Sequence, residues 1–416
     1  MTDKIKIFTI SDHPLSPSGV GTQTKYMIEG MLKTGKYQFI SFGGAVQHEN
    51  HQPQKTPEWG DDWIIWPVDG YGNPDMVRAM IRQQKPDIVW FMTDPRFYEW
   101  LWGIENEIRA HVPMVYYHVW DNYPYPDFNR KWYLSNDHVA CISKLTHDIV
   151  STVAPEVDSS YLPHAVHPEF FKPEDVSTIR SWRQAKNLDN KFVCFWNSRN
   201  ARRKQSGTLI FWFKEFLDKV GHDNACLIMH TDVKDPNGQD LEAIIKNLDL
   251  TNGQVMFSRE KVAPQDLSGM YNMSDVTICI SDAEGFGLST LESLSCGTPI
   301  LVNMTGGLQD QVTDGENFFG IGLHAASKAI IGSQQVPYIY EDRISKEDFL
   351  NALTELYEMG PEARRTLGLA GREWSQDRFN FDTYVQSWDD LFTKIVEEKG
   401  SWETRQNYSG YEVRAF

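Results

Sequence analysis

The chain of 416 residues lacks several features that would place it in a special class of protein. It has only five cysteines, and no two of them have the spacing of metal ligands. We therefore expect reduced core thiols of the kind found in cytosolic proteins. No apolar run is long enough to span a bilayer, and residues 1–6 do not form an apolar signal segment. The sequence thus predicts a cytoplasmic protein.

Positive charge is also scarce, since 40 Lys and Arg face 57 Asp and Glu, for a net charge of −17. This balance disfavours indiscriminate binding to nucleic acid or to an anionic membrane, although it is compatible with a local basic patch. Aromatic residues, in contrast, are plentiful, with 14 Trp and 17 Tyr, which favour large cores and stacking surfaces. At this length, two domains are expected.

Strand-like and helix-like runs alternate along the chain, which predicts parallel sheets with crossover helices. The first half begins with a strand candidate at residues 5–10, and a proline-bearing acidic stretch at 167–174 is typical of a domain connector. The pattern restarts at residues 192–196 and ends in a helical run at 381–397. We predict an α/β protein with two doubly wound, Rossmann-like domains facing a cleft. Its ligand should bind at the carboxyl ends of the strands.

One predicted strand-to-helix turn is more informative than any other stretch. Its residues, Glu284-Gly285-Phe286-Gly287-Leu288, follow an apolar run at 276–280 and precede a helix-forming run. Such a turn directs backbone amides and the positive end of a helix dipole at one point, and glycines let an anion approach closely. With Glu284 before the turn and Glu292 about two helical turns beyond it, the layout suits a diphosphate flanked by sugar hydroxyls. On spacing alone, an ordinary turn with two surface carboxylates is the simpler interpretation.

A basic run follows the strand candidate at 192–196. It holds four cations in six residues: Arg199, Arg202, Arg203 and Lys204. A diphosphate is the obvious counter-ion for such a cluster, because arginine offers a fork of donors and lysine a point charge. Most charge runs, however, are simply solvated. The position at the end of a strand favours the functional interpretation.

Two further candidates lie in the first half. Gly19 and Gly21 follow the first strand candidate and are compatible with a phosphate loop or with a simple tight turn. The absence of a third glycine in dinucleotide spacing disfavours a nicotinamide enzyme. His118 ends a strand candidate, where a structural role and a contact to a sugar hydroxyl are equally compatible with the sequence.

Together these residues resemble a retaining glycosyltransferase of the B-type fold, similar to glycosyltransferase family 4, the group 1 transferases. The resemblance covers nearly the whole chain. It is carried by Gly19 and Gly21, His118, the segments 137–143 and 163–170, the Arg199 and Lys204 separation, the Glu-any-seven-Glu pair Glu284 and Glu292, and Gly306-Gly307. Three departures from the family pattern leave the donor site in place: His164-Ala165, Ser198 and Asp310.

The resemblance implies a role for each matching residue. The catalytic set would be His118, Glu284, Arg199 and Lys204, with the two cations on the diphosphate. Glu292 would bind the ribose, and Gly21 would donate an amide to the phosphate. The remaining donor-binding residues would be Gly19, Ser258, Arg259, Gly285, Phe286, Gly287 and Leu288. The co-substrate would be a UDP- or GDP-sugar. Because no Asp-any-Asp motif is present, no metal and no other cofactor is expected.

The implied organisation is an acceptor domain at residues 1–170 and a donor domain at 171–379. A C-terminal segment, 380–416, would cross back to the first domain. Acceptor-binding loops are proposed at the aromatic stretches 59–66 and 120–132. The acceptor is left open between a carbohydrate, a lipid or a small molecule, and modified bases in DNA are an alternative. A sucrose- or trehalose-type synthase and a catalytically silent nucleotide-sugar binding module are further alternatives. The sequence leaves the oligomeric state open.

Overall fold

The computed structural model describes residues 4–123 and 125–410, which form two compact units. The first unit comprises the chain up to Trp120, Tyr125–His164 and the described residues from Asp382 onward. The second comprises a short segment beginning at Asp121 and Ala165–Phe381. These limits lie within a few residues of the predicted divisions at 170 and 379, but the sequence did not predict that the segment at Asp121 belongs to the second unit. The acceptor and donor labels stay predictions.

The first unit is built on an eight-stranded sheet. Its elements in chain order are β1 Ile5–Asp12, α1 Gly19–Lys33, β2 Tyr37–Gly44, β3 Gln54–Lys55, β4 Trp63–Pro67, α2 Pro74–Gln84, β5 Ile88–Met92, α3 Glu99–Trp102, α4 Glu105–Arg109, β6 Met114–His118, α5 Arg130–Leu134, β7 His138–Cys141, α6 Lys144–Val153 and β8 Ser159–Tyr161. Helical periodicity over residues 98–110 predicts a single helix there, but the structure has two short helices on either side of Gly103.

The strands of this sheet have the order β3-β4-β2-β1-β5-β6-β7-β8, and all pairs are parallel except β3 with β4. β1 lies between β2 and β5, with Ile7 opposite both Phe39 and Ile88. The central strands are buried along most of their length because helices cover both faces of a parallel sheet. The strand order reverses between β1 and β5, where two loops diverge at the carboxyl edge.

The final helix, α15 (Phe381–Lys399), packs on the first unit from Asp382 onward. Asp389 accepts hydrogen bonds from Lys36 Nζ and Tyr37 Oη, both at 2.6 Å. The indole of Trp388 is fully buried and meets the Tyr117 ring edge-on, with 4.9 Å between centroids. These contacts join residues that are far apart in sequence, and they attach α15 to the sheet of the first unit.

The second unit contains a six-stranded parallel sheet and a separate hairpin. Its elements are α7 Val176–Ala185, β9 Phe192–Asn197, α8 Ser206–Val220, β10 Ala225–His230, α9 Leu241–Asn247, β11 Val255–Ser258, α10 Pro264–Met273, β12 Val276–Cys279, α11 Leu288–Ser295, β13 Ile300–Asn303, α12 Gln309–Val312, β14 Gly320–Leu323, β15 Ser327–Ile331, β16 Ile339–Arg343, α13 Lys346–Glu358 and α14 Pro361–Arg378.

This sheet has the order β11-β10-β9-β12-β13-β14, so β9 and β12 are neighbours at the point where the order reverses. Doubly wound sheets bind ligands outside the carboxyl ends of the strands at such a point. Short 3-10 turns complete both units. All five cysteines are buried and free, as predicted. Within the described residues, no helix combines the length and apolarity needed to cross a bilayer.

Candidate active site

The strongest candidate site of the second unit lies at the carboxyl ends of β9 and β12. The basic loop, residues 198–205, follows β9, and the glycine turn, residues 281–287, follows β12. Parallel pairing of these strands brings both loops to one edge of the sheet. Two sequence segments some 80 positions apart thereby become neighbours, as the separation of Lys204 and Glu284 shows.

Lys204 and Glu284 form an ion pair at this edge. Lys204 Nζ donates to Glu284 Oε2, and the two side chains are only 11% and 15% exposed. Arg203 joins them, with its Nη1 3.7 Å from the same carboxylate oxygen and hydrogen-bonded to the Ala283 carbonyl. A carboxylate so shielded from water is retained only because cations face it. Two cations around one carboxylate leave a net positive charge.

The ionisation of Glu284 follows from this arrangement. Burial by itself would raise the pKa of its carboxyl, but Lys204 and Arg203 outweigh burial and hold that pKa below its ordinary value. Glu284 is therefore ionised throughout the neutral range. It can accept hydrogen bonds from hydroxyl groups, but it does not carry a proton to donate.

Contacts between the two loops hold the basic loop in position. The Asp282 amide donates to the Arg203 carbonyl at 2.8 Å, and Gln205 Nε2 donates to Asp282 Oδ2 at 2.6 Å. Gln205 itself takes a left-handed conformation with φ of +58°, which ends the 3-10 turn Arg202–Lys204 before α8. Burial raises the pKa of Asp282. Asp282 and Gln205 were not predicted, although Gln205 directly follows Lys204 and Asp282 lies two residues before Glu284.

The glycine turn ends at Gly287, which begins α11. Gly287 has φ of +90°, and a Cβ there would lie 2.5 Å from Leu308 Cδ2, so only glycine fits. No side chain in the described chain caps α11. The first amides of this helix are therefore directed at the loops without a capping acceptor, next to Lys204 and Arg203. This arrangement favours binding of an anion.

A second glycine pair, Gly306-Gly307, packs against the backbone of the glycine turn. The Gly307 amide donates to the Glu284 carbonyl at 3.1 Å, and a Cβ on Gly306 would lie 1.8 Å from that carbonyl oxygen. Buried Gln311 donates to the carbonyls of Phe286 and Gly287 at 2.7 and 3.0 Å. Gly306-Gly307 thus serves close packing of two backbone segments. Gln311 lies in no recognisable sequence motif, so its hydrogen bonds to the glycine turn could not be predicted from the sequence.

Glu292 lies on α11 within a polar chain beneath the site. Tyr271 Oη donates to Glu292 Oε2 at 2.6 Å, and Asn197 Nδ2 at the end of β9 donates to that hydroxyl at 2.8 Å. Burial raises the pKa of Glu292 to about 7, against the opposing hydrogen bond from Tyr271. Glu292 is thus the carboxyl of the site that changes charge near neutral pH. Neither Tyr271 nor Asn197 was predicted.

The structure separates the predicted cation pair. Arg199 does not contact Glu284 but binds Asp235, with Nε to Oδ2 at 2.6 Å and Nη2 to Oδ1 at 3.2 Å, and its side chain is 63% exposed. Arg202 is held by Glu341 of β16, with Nη1 to Oε2 at 3.0 Å and Nη2 to Oε1 at 2.5 Å. Arg203, to which the resemblance assigns no role, is the arginine beside Lys204 and Glu284.

Ser258 and Arg259, predicted to flank a nucleobase, follow β11 at the same edge of the sheet. Ser258 Oγ is 2.9 Å from Nδ1 of His230, and Arg259 Nη2 is 2.6 Å from Glu242 Oε1. Both side chains are thus engaged with neighbouring elements of the unit, and their role in binding a base stays a prediction.

In the first unit, the predicted phosphate loop is occupied by a helix cap. Ser18 caps α1 by accepting the Gly21 amide at 2.9 Å, and Ser18 Oγ donates to Asp12 Oδ2 at 2.6 Å. Gly19 is the first residue of the helix. A Cβ on Gly21 would lie 2.7 Å from the His13 carbonyl oxygen, so glycine is needed for packing. The Gly21 amide is therefore not free in this structure, and its predicted phosphate contact would require this bond to be exchanged.

His118 ends β6 and is fully buried. Its Nε2 is 2.8 Å from Tyr133 Oη, whereas Nδ1 has no hydrogen-bond partner within the described chain. Burial lowers the pKa of His118 to about 3, so the ring is neutral at physiological pH. The contact with Tyr133 thus supports a structural role for Nε2, which is one of the two roles that the sequence allowed for His118. A contact of His118 to a sugar stays a prediction.

The predicted acceptor stretch at 59–66 lies at the wrong end of the sheet. Its 3-10 turn, Gly60–Asp62, precedes β4 and is at the amino edge, and Trp63 is fully buried. The stretch at 120–132 does follow the carboxyl end of β6, although Trp120 is buried. In the described chain, no group of three or more His, Cys, Asp or Glu side chains is placed to hold a metal ion. Metal independence nevertheless stays a prediction.

Comparison with protein families identifies most of the second unit. Residues 178–374 match the family model described as glycosyl transferases group 1. This segment is therefore similar to the group 1 glycosyl transferases. It includes the basic loop, the glycine turn and Glu292, so the predicted resemblance is confirmed for the part of the chain that carries the candidate site.

Curated relatives agree with this family. A D-inositol 3-phosphate glycosyltransferase from Paenarthrobacter aurescens is 30% identical over 94 residues, which are 23% of this chain and 22% of that protein. A GDP-mannose-dependent alpha-(1-6)-phosphatidylinositol monomannoside mannosyltransferase from Mycolicibacterium smegmatis is 25% identical over 255 residues, 59% of each chain. The chain thus spans about a fifth of the length of the first relative and about three fifths of the second.

Solved structures show the fold over nearly the whole chain. A sucrose-phosphate synthase from Thermosynechococcus elongatus has a TM-score of 0.75 at 16% identity and covers 95% of this chain and 100% of that chain. HepE from Anabaena, in complex with UDP-glucose, has a TM-score of 0.69 at 14% identity and covers 94% and 99%. These likenesses confirm the predicted α/β fold of the B-type glycosyltransferases.

Proposed function

We propose that the protein is a retaining glycosyltransferase that moves a sugar from a nucleotide-sugar donor to an acceptor hydroxyl. One observation carries this proposal. Lys204, Arg203 and the uncapped start of α11 surround ionised Glu284 at the switch point between β9 and β12. Cations and helix amides suit the diphosphate, and the carboxylate suits the hydroxyl groups of the donor sugar.

In this proposal, the diphosphate takes over Lys204 and Arg203 from Glu284. The cations stabilise the charge that develops on the leaving phosphate, which is the main electrostatic demand of the reaction. Glu284 then orients the donor sugar, and Glu292 accepts hydrogen bonds from the ribose. Arg199, held by Asp235 in this structure, is the alternative diphosphate ligand that the resemblance implies. Departure of the phosphate in turn helps to deprotonate the acceptor hydroxyl, so no separate enzymic base is required.

The test is incubation of the full chain with UDP-glucose and with GDP-mannose, donors chosen because one occurs in a neighbouring structure and the other in the name of a relative. Release of free nucleoside diphosphate supports a transferase, and NMR of the product gives the anomeric configuration. An inverted anomer would overturn the retaining assignment. Tight binding of a nucleoside diphosphate without turnover would instead support the silent binding module.

A further inference from the structure

The first unit has a switch point of its own, between β1 and β5. One loop there carries His13 and Leu15 after β1, and the other carries Phe97 after β5. Thr93, the first residue after β5, has φ of +150°, an uncommon value for a residue with a side chain. Residues with such uncommon backbone conformations are concentrated at functional sites. These loops are therefore a candidate binding site for a second ligand.

Apolar side chains are exposed at this carboxyl edge. Phe97 and Leu15 are 49% and 48% exposed, and Val46 after β2 is 38% exposed. The Phe97 ring lies 5.3 Å from that of Tyr71, and Tyr71 Oη donates to Asp12 Oδ1 at 2.8 Å. Aromatic faces beside a carboxylate combine apolar contact with hydrogen-bond acceptors, the two features that a sugar ring requires.

A nearly buried histidine completes the group. His13 is 8% exposed, and its Nδ1 accepts the Leu15 amide at 3.2 Å, which leaves the proton on Nε2. Nε2 makes no hydrogen bond to the described residues, so it is a donor without a partner. A donor in that state is available to a ligand or to water.

The charge of this edge disfavours phosphate as the matching ligand. In the loops that follow β1, β2, β4 and β5 in the described chain, the sole Lys or Arg is Arg96, and the histidines are His13, His48 and His51. Burial lowers the pKa of His13, so its ring is neutral at physiological pH. Arg96 is engaged by Asp94, with Nη2 to Oδ2 at 2.7 Å and Nε to Oδ1 at 2.9 Å. Ser18 caps α1 by accepting the Gly21 amide, so that helix amide is also engaged. Asp12 would repel an anion here.

We propose that Asp12, His13, Tyr71 and Phe97 form the acceptor subsite and that the acceptor is an uncharged saccharide or similar polyol. This inference rests on the proposed glycosyl transfer and specifies its acceptor. Phe97 and Tyr71 cover the apolar face of the acceptor ring. The Asp12 carboxylate accepts from its hydroxyls, and His13 Nε2 donates to one of them. A sugar phosphate or a nucleic acid would bring uncompensated negative charge to the same groups.

The experiment uses the full chain and matched acceptor pairs. Saturation-transfer NMR compares the binding of glucose with that of glucose 6-phosphate, and the binding of myo-inositol with that of D-inositol 3-phosphate. A short DNA duplex is tested in the same way. Release of UDP from UDP-glucose is then followed in the presence of each compound. We expect neutral compounds to bind and to stimulate release, and their phosphates to bind about tenfold more weakly or worse. Phe97→Ala should raise the acceptor KM about tenfold and leave UDP affinity unchanged. Phe211→Ala, 48% exposed on α8, is the matched control.

Several results would overturn the subsite. They are stronger binding of the phosphates or of DNA, no binding by any neutral compound, and equal behaviour of the Phe97 and Phe211 variants. Calorimetry with UDP separates this failure from that of the proposed function. A chain that binds saccharides but no nucleotide contradicts glycosyl transfer, whereas one that binds UDP and releases it only with phosphorylated acceptors contradicts the acceptor inference alone.

Discussion

The two units share one kind of sheet and differ in the charge at its carboxyl edge. In the second unit, the loops at the switch point place Lys204 and Arg203 around Glu284, beside an uncapped helix. In the first unit, the equivalent loops place a carboxylate, a histidine and exposed aromatic rings beside a capped helix. The same topology thus presents a cluster of cations in one unit and a carboxylate beside aromatic rings in the other.

This difference shows what a glycine pair before a helix does and does not determine. Gly19-Val20-Gly21 and Gly285-Phe286-Gly287 look alike in sequence, and both begin helices. In the first, the Ser18 hydroxyl takes the helix amide and is itself held by Asp12. In the second, no described side chain takes that place. The glycines specify the turn, and the residue at the cap decides whether a side chain of the protein already engages a helix amide.

The largest effect that would test this contrast is expected for Glu284→Gln. Loss of the carboxylate removes the group that orients the donor sugar, so kcat should fall by roughly 10²–10³. UDP affinity should not fall, because Lys204 and Arg203 lose a competing anion. Steady-state kinetics and calorimetry measure the two effects.

The exposed Glu316→Gln is the control for this variant, since it has the same charge change outside the site. Circular dichroism checks folding, because removing one member of a shielded ion pair also destabilises a protein. Near-normal turnover of a folded Glu284→Gln protein would remove Glu284 from the site.

The next effect concerns which cations bind the diphosphate. We expect Lys204→Ala to weaken UDP binding by about 1.5–3 kcal/mol, the range for a hydrogen bond to a charged group. Comparing Arg203→Ala with Arg199→Ala then decides between the arginine that the structure places beside Glu284 and the one that the resemblance implies. Calorimetry with UDP is the measurement.

Ser18→Ala removes the helix cap of the first unit and is the counterpart of the variants in the second unit. It should lower the free energy of unfolding by about 0.5–2 kcal/mol through loss of the cap and leave UDP affinity unchanged. A marked change in UDP affinity would show that the Gly21 amide binds phosphate after all.

A smaller effect is expected from pH. The pKa of Glu292 is about 7, so its carboxyl gains charge as pH rises through neutrality. An ionised carboxylate is the stronger acceptor for ribose hydroxyls, and UDP-glucose should bind about fivefold tighter above this pKa than below it, corresponding to ~1 kcal/mol. Affinity measured across the neutral range tests this, and Glu292→Gln should remove the dependence.

The same group affects stability in the opposite direction. Its folded pKa lies above the model-compound value of 4.5, so ionisation opposes folding. The contribution of Glu292 to stability is therefore complete below pH 4.5, the pKa of the unfolded chain, and is lost as pH rises through the folded pKa of about 7. A Glu292→Gln protein whose unfolding free energy had the same pH dependence as the parent would contradict this assignment.

The smallest effect is expected from removal of metal ions. Lys204 and Arg203 supply the positive charge for the diphosphate, so EDTA should leave the transfer rate unchanged. Activity that is lost with the chelator and restored by manganese or magnesium would show that the basic loop alone does not neutralise the leaving group.

The sequence by itself determined the strands and the turns that follow them. The predicted strands at 5–10 and 192–196 lie within β1 and β9, because short apolar runs that are rich in β-branched and aromatic residues and bounded by turn residues favour strands. The glycine turn at 285–287 was also predictable, since a left-handed residue before a helix calls for glycine. The hairpin β15–β16 was not predicted, because its strands are half exposed and lack a strong apolar pattern.

Only the tertiary structure decided the partner of each cation in the basic loop. Arg199 binds Asp235, Arg202 binds Glu341 of the unpredicted hairpin, and Arg203 and Lys204 meet Glu284. Neighbouring arginines in one short run have the same local chemistry, so nothing in the run distinguishes them. The choice depends on hydrogen bonds such as that from Asp282 to the Arg203 carbonyl, which form only when β9 and β12 lie side by side.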